Sequence, residues 1–249
     1  MENSLQARLD DLKSRTFLKN IVSATQFLDP AEIAESELFL RRSGVSFALS
    51  GGCEGVERKR LFFLPDYLDE ETFTPDEYIS AICIRNSFGT LTHRDYLGSL
   101  MGLGIKRETL GDILVFDGYA YILATPQIAR YIVDNLEKIG RYSVKCEICS
   151  LSEVVVAEPS FDEVSGTVAS LRADALTSLA FGISRTVAAD MIRDGKLSLN
   201  HLELLNSSSD IREGDLLSLR GFGRAKLFEI GGTSKKGRHF VTFRVFSKK

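Results

Sequence analysis

At 249 residues, with 44% hydrophobic and 26% charged side chains, the chain has the composition of an ordinary globular protein of one to three domains. Its longest apolar runs, such as Ile113 to Phe116, are too short for a transmembrane helix. The net charge of −3 excludes a uniformly basic nucleic-acid coat.

The opening MENSLQARLDDLK is polar and acidic and lacks the apolar core of a secretion signal, so a cytoplasmic protein is expected. Apolar positions at Leu5, Leu9, Leu12, Phe17, Leu18 and Ile21 recur near helical spacing over residues 4–24. DPAEIAESELFLRRSG predicts a second helix, with Asp29 as cap, Pro30 in the first turn and Gly44 as its stop. VSFALSGG and RLFFLP predict two strands joined by a polar turn around Cys53 to Glu57. Residues 1–75 thus form a small α-α-β-β unit, ending in a polar linker near Asp66 to Pro75.

Residues 76–157 alternate between strand and helix patterns. YISAICIR is strand-like, and THRDYLGSLMGLG is a helix capped by Thr92 and stopped by Gly104. DILVF and YAYILA form a hairpin around Asp117-Gly118. TPQIARYIVDNLEKIG predicts a helix from the Thr125 cap to Gly140, and YSVKCEI closes with a strand. The order βαββαβ is the split βαβ of ferredoxin-like folds, without the aromatic-rich stacking strand of RNA-recognition modules. Gly98, Gly102 and Gly104 are expected to let the helix pack closely; they do not make a dinucleotide loop, so no cofactor is expected. Cys146 and Cys149 form a lone CxxC on a strand, which turns them to opposite faces. Ordinary thiols and no metal are expected.

Residues 151–170 read as a mixed connection with a strand around Val154 to Val156. A third domain, residues 165–249, then shows two short helices followed by short strands, with turns at Asn200-His201, Glu213-Gly214 and Gly231-Gly232. TSKKGRH, Thr233 to His239, reads as a hairpin tip. Charge is graded along the chain. Residues 1–75 carry net −4, residues 76–155 net −2, and residues 156–249 net +3. The last thirty residues hold nine basic side chains and one acid, Glu229, a distribution suited to phosphate.

Within this domain SRTVAADMIRDGK is the segment most suited to an anion. Ser184 caps a helix whose first N–H groups face outward, and the helix dipole favours phosphate there. Arg185 adds a guanidinium beside Thr186 in the same turn, while Val187, Ala188, Met191 and Ile192 are expected in the core. Gly195 permits a left-handed exit that aims Lys196 sideways. Arg172, Arg220, Arg224 and Lys226 extend the same positive edge, and Asp174 reads as a first-turn dipole partner or a brace for an arginine. In the middle domain His93 and Arg94 open a helix, and Lys106 and Arg107 follow its glycine end.

Residues 171–227 resemble the S4 RNA-binding domain, or alpha-L motif. The matching positions include Leu171, Arg172, Asp174, Ser184, Arg185, Gly195, Lys196, Asn200, Gly214, Asp215 and Arg220. His201 departs from the pattern, which often has glycine after the asparagine. HRDYLGSLMGLGIKRETLGDILV, His93 to Val115, resembles a stretch of the YlmH family of bacterial S4-domain proteins, encoded near cell-division genes. The resemblance implies an α+β protein made of the N-terminal unit, a ferredoxin-like RNA-binding domain and a C-terminal S4 domain. It also implies ribosome association and a part in rescuing large subunits that retain a nascent chain on tRNA. HExxH, Walker and GxSxG motifs are absent, and the three histidines, His93, His201 and His239, are scattered. The expectation is a non-catalytic protein, monomeric when free, whose partners are structured rRNA, tRNA and the large ribosomal subunit, with no membrane partner. Its RNA-binding residues are Arg172, Ser184, Arg185, Thr186, Lys196, Asn200, Arg220, Arg224, Lys226, His93, Arg94, Lys106 and Arg107. The alternatives are an S4-domain RNA-modifying enzyme, or a cell-division scaffold with incidental RNA binding.

Overall fold

Leu5 and Leu9, one turn apart in α1 (Glu2–Lys19), are buried against Leu28, Leu40, Leu61 and Phe63. In the computed structural model, which describes residues 2–40, 44–86 and 90–246, this is the first of several small cores. The helix ends five residues before the sequence pattern does. Asn20 takes a left-handed conformation, φ 52°, and the chain turns into β1 (Ser23–Ala24), which pairs with β3 (Arg60–Phe63). Phe17, Leu18 and Ile21 are exposed, so the expected helix-face positions beyond residue 16 do not reach the core. α2 (Pro30–Leu40) starts where expected: Asp29 Oδ1 accepts the N–H groups of Ala31 and Glu32, and Glu32 reaches back to the Asp29 N–H. Residues 41–43 lie outside the described residues, and Gly44, the expected stop, has φ 62°. β2 (Phe47–Ser50) completes a sheet ordered β1-β3-β2.

The second sheet consists of β4 (Ser80–Asn86), β5 (Leu110–Val115), β6 (Tyr119–Ala124), β7 (Lys138–Ile139) and β8 (Tyr142–Cys149). Its order, β5-β6-β4-β8-β7, is antiparallel throughout, and the four long strands of the βαββαβ run lie as second, third, first, fourth. Its two faces have different partners. Ile82, Ile84 and Ile122 pack under α3 (His93–Gly102) and α4 (Pro126–Asn135), through Tyr96, Leu100, Ala129 and Ile132. Ala81 and Leu123, on the other face, share a core with Phe27, Ala48, Phe62 and Leu64 of the N-terminal segment. Residues Met1–Ala157 are therefore one compact unit of four layers, helix, sheet, sheet and helix. Arg60 ties the two sheets together. It is buried, donates to the carbonyls of Thr25 and Tyr78 at 2.8 and 2.6 Å, and burial pushes its pKa down to about 10.

Two local expectations change. The second helix of this sheet stops at Asn135 rather than Gly140, because Lys138–Ile139 pairs with Tyr142–Ser143 across a turn in which Gly140 has φ 57°. Gly98 and Gly102 are exposed with nothing near a would-be side chain, so close packing is not their role. The CxxC divides as its strand alternation requires: Cys146 packs with the helix-side core and Cys149 with the N-terminal core. Burial pushes both thiols up to about 11.

The second unit, Glu158–Lys249, is a six-stranded antiparallel sheet with two helices. No strand forms at Val154 to Val156; a 3₁₀ turn, Leu151–Glu153, capped by Ser150, ends the first unit instead. The strand of this connection is β9 (Phe161–Val168), and it forms an edge of the second unit's sheet. Then come α5 (Ala173–Phe181), α6 (Arg185–Arg193), β10 (Leu197–Leu199), β11 (Leu202–Glu203), β12 (Leu216–Leu219), β13 (Gly223–Thr233) and β14 (His239–Phe246). The order is β11-β10-β12-β13-β14-β9. Leu176 and Ala180 of α5 and Ile192 of α6 bury one sheet face through Leu217, Ala225, Leu227, Val241 and Phe243. Asn200 and His201 both have positive φ, 49° and 71°, making the tight β10–β11 hairpin turn. Gly231 and Gly232 lie inside the long β13, and the reversal falls later, at Ser234 to Arg238, where Gly237 has φ 70°.

Candidate nucleic-acid interface

Asp174 lies in the first turn of α5 with its side chain 8% exposed, and two arginines share it. Arg185 donates from Nε and Nη2 to its two oxygens at 3.0 and 3.1 Å. Arg172, preceding the helix, donates from Nε and Nη2 at 3.3 Å each. Burial alone would raise this carboxyl. The Arg185 hydrogen bonds, the charges of Arg185 and Arg172, and the Ala175 N–H at 2.8 Å outweigh it and hold the group below the usual carboxylate range. Each guanidinium turns one edge to Asp174 and remains partly in solvent, 39% exposed for Arg172 and 51% for Arg185. Two cations against one carboxylate leave a net positive charge, fixed in orientation.

This pair sits where the helix backbone adds to it. Ser184 has φ −67° and ψ 151°, and its Oγ accepts the Val187 N–H at 3.2 Å, so it caps α6. Arg185 and Thr186 fill the exposed first turn, an end that favours anions. Val187, expected in the core, is 45% exposed there, while Ala188 and Ile192 are buried and Met191 is half-buried. The buried stripe begins one residue later because the cap turns the first three helical residues outward.

The remaining predicted residues of this unit divide by position. Gly195, φ 68°, ends α6, and Lys196 follows at the far end from Ser184. Lys196 Nζ donates to Asp194 at 2.9 Å, which holds that carboxyl below its usual range, and its carbonyl accepts the Arg220 N–H at 2.9 Å. Lys196 and Arg220 are therefore neighbours at one end of β10 and β12. Asn200 is a brace: its Nδ2 donates to Asp215 at 2.8 Å and its Oδ1 accepts the Leu216 N–H at 2.9 Å. Arg224 and Lys226 alternate with the buried Ala225, so they leave the sheet on the face opposite the helices. The single positive edge expected from the sequence is thus divided. Arg172, Ser184, Arg185 and Thr186 share the helical side; Lys196 and Arg220 meet at one end of β10 and β12; Arg224 and Lys226 are on the open sheet face.

In the first unit, α3 opens on a capping box. Thr92 donates from its N–H and Oγ1 to Asp95 at 2.7 Å each, so Asp95 is spent on Thr92 and Arg94 is left on the exposed first turn. His93 and Arg107 line a polar cleft of about 340 Å³ with Arg58, Asp112 and Glu57. Arg107 donates to the Leu110 and Gly111 carbonyls at 2.8 and 2.9 Å, and Arg58 to the carbonyls of Leu110 and Phe27 at 3.1 and 2.8 Å. Asp112 accepts the N–H groups of Glu57 and Arg58 at 2.6 and 3.0 Å. Burial, and then the nearby Arg107 charge, push His93 below the ordinary histidine range, against Asp112. Burial and Arg58 likewise lower Arg107. Lys106 is exposed just before this turn, and its carbonyl caps Thr109. Arg58 escaped the sequence reading because it lies in a turn of the N-terminal segment, distant in sequence from residues 93–112.

Comparisons with known proteins support an RNA-binding role, through a match that lies within the first unit. A family model described as "Putative RNA-binding domain in YlmH" matches residues 76–153. A Bacillus subtilis (strain 168) protein named "Ribosome-associated protein quality control protein P2" is 33% identical over 221 residues, which cover 88% of this chain and 85% of that protein. Among solved structures, "Cell division protein ylmH from Streptococcus pneumoniae" matches with a TM-score of 0.53 at 24% identity, over 62% of this chain and 92% of that one. That last likeness is one of fold alone.

Proposed function

This chain belongs to the YlmH family, and we propose that it is a non-catalytic protein that docks structured rRNA, with tRNA alongside, on the large ribosomal subunit during rescue of stalled translation. An RNA-binding role follows from the family; the particle, the tRNA and the lack of catalysis are our reading. The observation that carries it is the Arg172–Asp174–Arg185 arrangement at the capped start of α6. A folded RNA presents phosphates at fixed spacings, and two guanidiniums locked by one carboxylate meet such a target at little further cost in side-chain entropy.

On this reading Glu158–Lys249 is an S4 domain and the βαββαβ segment a ferredoxin-like second contact, braced by residues 1–75. Two linked modules on one particle raise avidity beyond either contact. The protein acts as a cytoplasmic monomer when free. Among the described residues no helix is long and apolar enough to cross a membrane. Co-sedimentation with large subunits over a salt series tests the proposal. The wild type should pellet with the particles and lose binding steeply with salt. Arg172→Ala with Arg185→Ala should weaken binding and flatten the salt slope by about two units. Unchanged pelleting by the double variant would sink it.

A further inference from the structure

Three phenylalanines stand in solvent on the open face of the second unit's sheet, among cations, and the helical RNA edge uses none of them. Alternation along the strands puts them there. On β14, Val241 and Phe243 are buried, so Phe240, Thr242, Arg244 and Phe246 point the other way. Phe161 on β9 pairs with Phe246, and Glu163 with Arg244; on β13, Lys226 pairs with Arg244. A register shift between Leu227 and Glu229 leaves Phe228 as an extra residue, a bulge that re-aims its side chain onto the same face. Phe161 and Phe228 are each 40% exposed, and Phe240 is 49% exposed.

The rings and cations are already organised. The Arg244 guanidinium carbon lies 3.4 Å from the Phe228 ring centroid and 4.5 Å from that of Phe161, so the cation fills the space between two rings. Arg224 lies 5.5 Å from the Phe246 ring. Glu163, 3.5 Å from Arg244 Nε, and Glu229 are the acids on this face, against Arg224, Lys226 and Arg244. The surrounding chain fixes the sign of a partner, since residues 220–249 carry nine basic side chains and one acid.

An apolar protein partner would explain the rings but not the cations threaded between them. A duplex, or phosphate alone, would explain the cations but leave the rings idle in water. Unpaired nucleotides use both at once, a base on each exposed ring and the backbone on the cations. We propose that this face is a stacking platform for unpaired nucleotides of RNA. The proposal rests on the RNA-binding reading above, yet it uses the sheet face opposite α5 and α6, so the two fail separately.

The test is fluorescence anisotropy of the full chain with a labelled dodecamer of uridine, an abasic dodecamer of the same charge, and a perfect duplex. The uridine strand should bind at least about tenfold tighter than the abasic strand. Phe228→Ala with Phe240→Ala should remove roughly tenfold or more of that affinity while leaving the salt slope unchanged. Phe228→Leu with Phe240→Leu, which keeps apolar bulk and the fold, should lose it as well, and Phe228→Trp should retain it. Arg172→Ala with Arg185→Ala should leave the uridine strand bound and weaken only large-subunit binding. Equal binding of uridine and abasic strands would overturn the platform. So would full retention by the leucine variant, preference for the duplex, or loss confined to the Arg172 and Arg185 variant.

Discussion

Arg185 and Asp174, eleven positions apart on successive helices, are joined by two hydrogen bonds of 3.0 and 3.1 Å, and the same carboxylate holds Arg172. The acid at the centre of a cationic surface is therefore a positioning group. Replacing Asp174 by Ala removes a negative charge, which by net charge alone would strengthen RNA binding. The geometry predicts the reverse: roughly tenfold weaker binding to large subunits, because both guanidiniums lose their fixed orientation. Stability should fall by about 1–3 kcal/mol from the lost charge-assisted bonds, read from denaturant midpoints. Tighter binding by Asp174→Ala would show that charge, not orientation, governs the surface.

The same carboxylate sets a pH dependence. Its folded pKa is depressed, so its contribution to stability is complete above the unfolded value of about 3.9 and is lost as pH falls through the folded value. Asp174→Asn should lower stability at pH 7 and narrow its gap from the wild type as pH drops below about 4. Urea titrations at pH 7 and at low pH measure both; a constant gap would contradict the assignment.

His93 behaves with the same sense at a higher pH. Burial and Arg107 depress its pKa, with Asp112 and the neighbouring Arg58 also at the cleft. Below the unfolded value of about 6.5 the unfolded chain takes up a proton that the folded chain resists, so stability declines on acidification. His93→Gln should flatten the melting temperature between pH 7.5 and 5.5. Proton titration by NMR should place the imidazole below its ordinary range.

Two glycines should respond oppositely to alanine. A Cβ on Gly111 would stand 2.8 Å from the Phe27 ring and 2.9 Å from Leu123 Cβ, where the two sheets meet. Gly111→Ala should cost about 1–3 kcal/mol by overpacking. Gly98 lies on the exposed side of α3 with open space around it, and Gly98→Ala should stabilise by about 0.5–1 kcal/mol. Thermal melts of both variants decide this.

His201 pairs with Asn200 in a turn that demands positive φ at both positions. Valine there should lower stability by about 1–2 kcal/mol relative to glycine. Chemical denaturation of His201→Val and His201→Gly measures the difference.

Local chemistry was legible in the sequence. Asp29, Thr92 and Ser184 cap helices because a short side-chain oxygen next to an apolar-periodic run has few other uses. The succession of long strands and helices in residues 77–149 followed from patterns of period 2 and 3.6. Long-range consequences were not legible. Asn20 ends α1 early because β1 gains a partner in β3, and nothing near residue 20 announces that strand. Arg58 reaches the His93 cleft only because the two sheets share a core. Arg224 and Lys226 belong to the same charge run as Arg220, but the strand period turns them to the other face, where the Phe228 bulge has no signature of its own.

The most direct measurement is a particle map of the protein bound to the large ribosomal subunit. The start of α6, with Arg172 and Arg185, should lie against phosphates of a folded RNA element. A map with those two guanidiniums turned to solvent, and RNA held elsewhere on the chain, would contradict it.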